Sequence, residues 1–216
     1  MIVQTPHHQP VEHSFMGRTL VINPFFDKVL TPSTKPIAKV ASAKLVRICS
    51  LLLLIDEISQ PVPTITSLDK MSAVLEGLLF QIRSAYDLLL KSCPKTKLEP
   101  LYSFNEFQKK LNQNPELRNT FPETHGTLLP HAAFYDTFRF RNGIKDGRMY
   151  VMTYLREGKF HIRINQPPAP APILDQELGV FITWQIIWLA LTMNSLFLDI
   201  FGPGSINQWI KDSHHA

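Results

Sequence analysis

The sequence predicts a mainly α protein, a bundle of about five helices with a small β-hairpin insertion. Apolar residues recur at helical spacing through most of the chain, most prolines lie between these segments, and the pattern changes to strict alternation in one stretch only. With 216 residues, of which 44% are hydrophobic and 19% charged, the chain is long enough for one well-packed domain. We expect an irregular arm over residues 1–32, a helical domain over 33–201 and a C-terminal tail over 202–216.

Two long helices are predicted first, and we expect them to pack as an antiparallel hairpin. The first begins after Ser33 or Thr34 and ends before Pro61, because a hydroxyl side chain caps a helix start and proline does not continue a helix. The second begins at a capping box formed by Thr66 and Asp69 and ends before the next proline, Pro94. The short proline-rich link between the two helices favours antiparallel neighbours.

Two shorter helices are predicted next. Ser103 and Glu106 form a capping box for a third helix. Asn114 and Pro115 end that helix and begin a short one that runs through Leu117. Each of these starts rests on a side chain that accepts a hydrogen bond from the free N–H groups of a first turn.

The second half of the domain contains the change of period. Residues 121–129 are predicted to be a loop, followed by a helix that begins near Pro130 and weakens at Gly143. Two alternating runs then flank a Glu-Gly pair, which predicts a β-hairpin over residues 148–165. The connector that follows, QPPAPAP, is predicted to be stiff and extended.

The last helix is a candidate for a membrane span. Residues 178–198 carry no charge over a length that would cross a bilayer. A helical wheel places Gln185, Thr192, Ser195 and Asp199 along one side, which is typical of a buried helix with a narrow wet stripe. We therefore favour a core helix, with a single span as the alternative.

Several classes of protein are disfavoured by what the sequence lacks. No P-loop, GxGxxG, HExxH, GxSxG or paired CxxC string occurs, so nucleotide-fold enzymes, zincins and α/β-hydrolases are poor candidates. The histidines near the two ends have no partner at metal-ligand spacing, and we expect neither a metal nor a cofactor. Cys49 and Cys93 lie in helical apolar patterns that predict buried thiols, and no signal-peptide pattern precedes them, so we expect a cytoplasmic protein.

The basic residues are concentrated in one stretch. The net charge of the chain is +4, whereas residues 139–163 hold seven basic and two acidic residues, with Tyr150, Tyr154 and Phe160 between them. Guanidinium groups suit phosphate oxygens and aromatic rings stack on bases. We therefore predict that six cations bind nucleic acid: Arg139, Lys145, Arg148, Arg156, Lys159 and Arg163. The structural alternative is a solvated basic hairpin whose aromatic side chains pack on the bundle.

One string in this stretch resembles a family signature. The helical segment LEGLLFQIRSAYDLLLK and the later FRNGIKDGR resemble HEPN-domain proteins, helical bundles associated with RNA cleavage in defence, toxin and stress systems. The family signature is an arginine followed four to six residues later by a histidine, often with a polar residue directly after the arginine, as in RNxxxH. Arg141 and Asn142 match this string, whereas Asp146 stands at the position of the histidine. The resemblance implies that Arg141 holds a phosphate, that Asn142 orients it or caps the helix, and that two chains form a homodimer.

The aspartate changes the expected chemistry. An anion at position 146 repels phosphate and cannot supply the proton that a histidine titrating near neutrality would supply. Pairing with Arg141 or Arg148 would neutralise the site. We therefore expect binding of RNA or an acidic protein partner, in a defence or toxin-antitoxin setting, rather than turnover. The alternatives are an active metal-independent endoribonuclease that uses His125 or His161, and a single-span membrane-anchored interaction protein.

Overall fold

The described part of the chain forms one mainly helical fold. The computed structural model describes residues 2–3, 11–12, 35–59, 64–92, 103–128 and 132–202. The following predicted features lie outside these residues: the helix starts at Ser33 or Thr34 and at Pro130, the stops at Pro61 and Pro94, the thiol of Cys93, residues 203–216 of the tail, and most of the N-terminal arm.

Seven helices and five strands are present among the described residues. The helices are α1 Lys35–Ser59, α2 Ile65–Ser92, α3 Phe104–Gln113, α4 Pro115–Thr120, α5 Pro122–Leu128, α6 Ala132–Lys145 and α7 Leu178–Phe201. The strands are β1 Ile2–Val3, β2 Val11–Glu12, β3 Tyr150–Arg156, β4 Lys159–Asn165 and β5 Leu174–Glu177. This arrangement confirms the predicted fold class, although β1 and β2 pair as two short antiparallel strands within the arm that we expected to be irregular.

Helices α1 and α2 form the predicted antiparallel hairpin. The Lys44 ammonium near the start of α1 donates to Gln81 late in α2 over 3.0 Å, whereas Leu51 further along α1 lies beside the earlier Gly77. Apolar side chains at helical spacing bury the seam between the two helices, as the sequence pattern predicts. The Cys49 thiol lies in this seam, and burial raises its pKa to about 12, which leaves it protonated and unreactive at neutral pH.

The start of α2 differs from the prediction by two residues. Thr64 caps the helix, because its hydroxyl accepts a hydrogen bond from the Ser67 N–H over 3.2 Å and the Ser67 hydroxyl accepts one from the Thr64 N–H over 3.3 Å. The capping box assigned to Thr66 and Asp69 is therefore wrong. The reciprocal pair that forms uses a serine hydroxyl in place of the usual carboxylate.

Local signals predict α3 and α4 correctly. The Ser103 hydroxyl accepts from the Glu106 N–H over 3.2 Å, which confirms Ser103 as the N-cap, and the Glu106 carboxylate of the predicted capping box accepts from the Ser103 hydroxyl over 3.4 Å. The Asn114 side chain accepts from the N–H groups of Glu116 and Leu117 at 2.9 and 3.2 Å. Both caps lie within four residues of the groups that they bond, so the sequence is sufficient to locate them.

Helix α5 occupies most of the segment that was predicted to be a loop, and that prediction is wrong. The Asp199 carboxylate of α7 accepts hydrogen bonds from the N–H groups of Glu123 and Thr124 at 3.0 and 2.8 Å, and from the Thr124 hydroxyl at 2.6 Å. These bonds satisfy the first turn of α5 from a residue 75 positions away. A cap so distant leaves no local signal.

The predicted hairpin is present and a third strand extends it. Strands β3, β4 and β5 form an antiparallel sheet in that order. Glu157 and Gly158 both have positive φ angles of 54° and 74°, as a two-residue hairpin turn requires. The predicted stiff extended connector is wrong, because the chain reverses after Gln166 and brings Leu174 opposite Ile164 as the start of β5.

Helix α7 is a core helix whose polar stripe faces the protein. It is long and apolar enough to cross a membrane, and 61% of its most apolar 18 residues are buried in the fold. The expected wet stripe is wrong, because its residues bond to other helices. The pairs are Gln185 with Thr137 of α6, Thr192 with Tyr86 of α2, Ser195 with Thr127 of α5, and Asp199 with Thr124 of α5.

Candidate nucleic-acid interface

The string FRNGIKDGR forms the end of α6 and the turn into β3. Gly147 has a φ of 68°, its N–H donates to the Ile144 carbonyl over 3.0 Å, and the Arg148 N–H donates to the Gly143 carbonyl over 2.8 Å. This is the Schellman arrangement that ends a helix at a left-handed glycine. A Cβ atom at Gly143 would lie 2.4 Å from the sulfur of Met149. Both glycines therefore serve to end the helix and to pack the first residues of the sheet against it.

Arg141 packs against α2 in a reciprocal arrangement. Its guanidinium lies 5.1 Å from the ring centre of Phe80, and the Arg83 guanidinium of α2 lies 3.8 Å from the ring centre of Phe138. Each helix thus contributes a phenylalanine and, three residues later, an arginine that covers the other helix's ring. Arg83 is also paired with Asp87 one turn away. Cation–π contacts of this kind stabilise the α2–α6 seam and hold Arg141 in place.

The three residues of the RNxxxH match are brought together only in part. Arg141 donates through Nη1 to the Asn142 side-chain oxygen over 3.0 Å. Asp146 instead accepts from Arg148 over 2.7 Å. Of the two pairings considered for Asp146, the structure has the one with Arg148, and no hydrogen bond or ion pair joins Asp146 to Arg141 among the described residues.

Neither His125 nor His161, the two histidines considered in place of the family histidine, is hydrogen-bonded to Arg141 among the described residues. His161 lies on the outer face of the sheet, with its ring 5.3 Å from that of Tyr154. His125 lies in α5, where its N–H donates to the Phe121 carbonyl. Among the described residues, no histidine or carboxylate is hydrogen-bonded or ion-paired to Arg141.

Four of the predicted nucleic-acid-binding cations face carboxylates. The pairs are Arg148 with Asp146 at 2.7 Å, Arg156 with Glu157 at 3.9 Å, Lys159 with Glu177 at 3.0 Å, and Arg163 with Asp175 at 2.7 Å. Asp175 and Glu177 belong to β5, which the sequence analysis did not predict. Their spacing of two was the available signal, because alternate residues of a strand face the same side.

The cations without a carboxylate partner lie at the end of α6. Within the described chain no carboxylate lies in ion-pair distance of Arg139, Arg141 or Lys145, while residues 139–177 hold seven basic and four acidic residues. The negative end of the helix dipole stabilises Lys145 and, one turn earlier, Arg141. The net positive charge of this region is thus located on one helix end rather than spread over the hairpin.

The outer face of the sheet carries a regular column next to this helix end. Alternate residues of β3 and of the turn before it form it: Arg148, Tyr150, Met152, Tyr154 and Arg156, which we call the β3 column. Tyr150 and Met152 are each 45% exposed to solvent. Phe160 does not join them, because it is half-buried against the core. Two of the three aromatic residues singled out in the sequence therefore face solvent, and the third packs inward.

Tyr154 is held by the β5 side of the sheet. Its hydroxyl bonds to Asp175, and the Arg163 guanidinium lies 4.8 Å from its ring centre while also donating twice to Asp175, at 3.0 and 2.7 Å. The bond from the Tyr154 hydroxyl, with that from Arg163, holds the pKa of Asp175 below its usual value, and the same bond raises the pKa of Tyr154. Arg163 is thus paired within the fold, and its charge is neutralised by Asp175.

Comparison with known proteins assigns no identity to this surface. No protein-family model, curated protein or solved structure matches the chain. Among the described residues, no group of three histidine, cysteine or acidic side chains is placed to hold a metal ion. The chemistry of the surface therefore has to be inferred from its own side chains, which offer cations, exposed aromatic rings and amide groups.

Proposed function

We propose that this protein binds RNA through the end of α6 and does not cleave it. The observation that carries the proposal is the group of three cations, Arg139, Arg141 and Lys145, that have no carboxylate partner among the described residues. Phosphate oxygens are the ligands that guanidinium and ammonium groups favour, and RNA presents them in a row. Cations already paired within a fold contribute less, because they must first give up their carboxylates.

The absence of turnover follows from the group at position 146. Ribonuclease chemistry without a metal needs a side chain that gives and takes protons beside the scissile phosphate. Asp146 is bonded to Arg148 and forms no hydrogen bond or ion pair with Arg141 in the described structure. We therefore favour a HEPN-like protein with a degenerate site over an active endoribonuclease, and we propose that it acts as a cytoplasmic homodimer.

Fluorescence anisotropy with a labelled 20-nucleotide RNA in EDTA tests the proposal. The test variant is Arg139→Gln with Lys145→Gln, since both side chains are exposed and their loss leaves the α2–α6 seam intact. Each phosphate contact on single-stranded nucleic acid contributes about 0.7 to the slope of log affinity against log salt, so we expect a decrease of about 1.4. The matched control is Arg47→Gln with Lys109→Gln, which removes the same charge from exposed positions on α1 and α3.

Two results would overturn the proposal. The first is a wild-type protein that does not bind RNA at moderate salt, or a test variant whose slope equals that of the control. The second is cleavage of the RNA in EDTA that disappears in Arg141→Ala, which would establish the enzyme alternative. Denaturing electrophoresis of the same samples detects cleavage, so binding and turnover are measured together.

A further inference from the structure

We propose that the RNA is bound as a single strand whose bases stack on the β3 column, with the strand running along β3 rather than across the sheet. This inference rests on the proposed function and adds the class of RNA and its direction. Three features of the sheet support it: an exposed aromatic ring, an uneven distribution of carboxylates, and the continuity of the column with the end of α6.

Tyr150 provides the stacking platform. Tyr150 is 45% exposed to solvent, and no other ring or guanidinium packs on its ring among the described residues. Met152 follows on the same side of the strand with equal exposure. Unpaired bases stack on such rings, whereas the bases of a duplex are already stacked and paired with one another. An exposed tyrosine therefore selects single strands.

Within the three strands of the sheet, acidic residues occur only on β5. Asp175 and Glu177 belong to β5, and the register places them beyond Arg163 and His161 of β4 as seen from β3. An RNA strand that crossed the sheet would bring its phosphates close to these carboxylates, which would repel them. An RNA strand that follows β3 instead meets Arg148 and Arg156 at the two ends of the column. Their partners, Asp146 and Glu157, lie in the adjoining turns and are exposed, and exposed ion pairs are weak enough for the arginines to turn to phosphates.

The column is continuous with the proposed phosphate-binding surface. The chain passes from Lys145 through Asp146 and Gly147 directly to Arg148, so the last turn of α6 adjoins the first residue of the column. The cations at the end of α6 can therefore bind the phosphates of an RNA strand whose bases stack on Tyr150. The Tyr154 ring, already covered by Arg163 and beside His161, is the less available of the two tyrosines.

The experiment compares one labelled RNA as a single strand and annealed to its complement. We expect the wild type to prefer the single strand. Tyr150→Ala should lower single-strand affinity about tenfold, with no change in duplex affinity or in the salt slope. Tyr150→Phe should retain wild-type affinity, because stacking needs the ring and not the hydroxyl. Trp184→Ala, which removes an exposed ring from α7, is the matched control and should bind as the wild type does.

The results separate this inference from the proposed function. If the duplex binds as tightly as the single strand, or if Tyr150→Ala binds the single strand like the wild type, base stacking on the β3 column is wrong even when the cations of α6 remain necessary. Thermal melting of each variant excludes unfolding as the cause of a loss. A strand that follows β3 also predicts that ultraviolet crosslinks map to Tyr150, and crosslinks confined to β5 would overturn the direction.

Discussion

The polar stripe of α7 and the outer face of the sheet look alike in sequence and differ in structure. Both place polar side chains at a regular spacing along one side of an element. Every residue of the α7 stripe is bonded to another helix. On the sheet, the β5 side is neutralised by its own carboxylates, while the cations at the end of α6 have no carboxylate partner in the part of the chain that the structure describes. The difference shows that a polar pattern indicates a binding surface only where the fold leaves its groups unpaired.

The largest expected effect tests the α7 side of this comparison. Asp199→Ala removes the acceptor for two N–H groups and one hydroxyl at the start of α5. We expect a loss of about 2 kcal/mol in the free energy of unfolding, since capping and charged hydrogen bonds are of that size. For a chain of this length the melting temperature should fall by roughly 4–8 °C.

Asp199→Asn is the control, because it keeps one acceptor oxygen and should lose less stability. RNA affinity of the folded Asp199→Ala protein should equal that of the wild type, as expected of a residue that serves only the fold. A melting temperature unchanged in the alanine variant would mean that the carboxylate does not stabilise α5.

The next prediction concerns the two carboxylates of β5 that neutralise cations on the sheet. Asp175→Asn combined with Glu177→Gln releases Arg163 and Lys159 from their carboxylates. If the β5 side differs from the α6 end only by this neutralisation, RNA affinity should rise by a factor of about five and the salt slope should steepen by up to about 1.4. Affinity equal to that of the wild type would show that these two cations do not reach the RNA.

The parts of this comparison that the sequence predicts are those with local partners. The Ser103 cap, the Asn114 cap and the Glu157-Gly158 turn each bond groups a few residues apart, and all three were predicted. The start of α5 was not, because its cap is Asp199. In the candidate site, the sequence indicated the cations and a possible Asp146–Arg148 pair, but not the neutralisation of Lys159 and Arg163 by β5. That depends on a reversal of the chain that brings Asp175 opposite Arg163.

A smaller effect appears in acid. The pKa of Asp175 is lower in the folded protein than its ordinary value, so the fold favours the charged form. The stability contributed by this carboxylate is present above the unfolded pKa of about 3.9 and is lost as the pH falls through the lower folded value. Wild type and Asp175→Asn should therefore differ in melting temperature by about 1 °C at neutral pH and converge in acid, since exposed ion pairs contribute little. A difference that grows in acid would contradict the assignment.

The smallest expected effect concerns the RNxxxH match itself. Asp146→His restores the family signature and removes an anion from the negative end of α6, where a cation or neutral group is preferred. We expect a gain of only about 0.3 kcal/mol in the free energy of unfolding, because loss of the ion pair with Arg148 offsets part of the gain at the helix end. We expect no cleavage of RNA in EDTA, because residues 141 and 146 form no hydrogen bond or ion pair with each other in the described structure. Cleavage that appears in this variant and disappears when Arg141→Ala is added would show that the missing imidazole alone separates the end of α6 from a ribonuclease site. In that case Arg139, Arg141 and Lys145 would belong to a ribonuclease site that has lost its histidine. The end of α6 would then differ from the α7 stripe as a former catalytic site differs from a structural contact between helices.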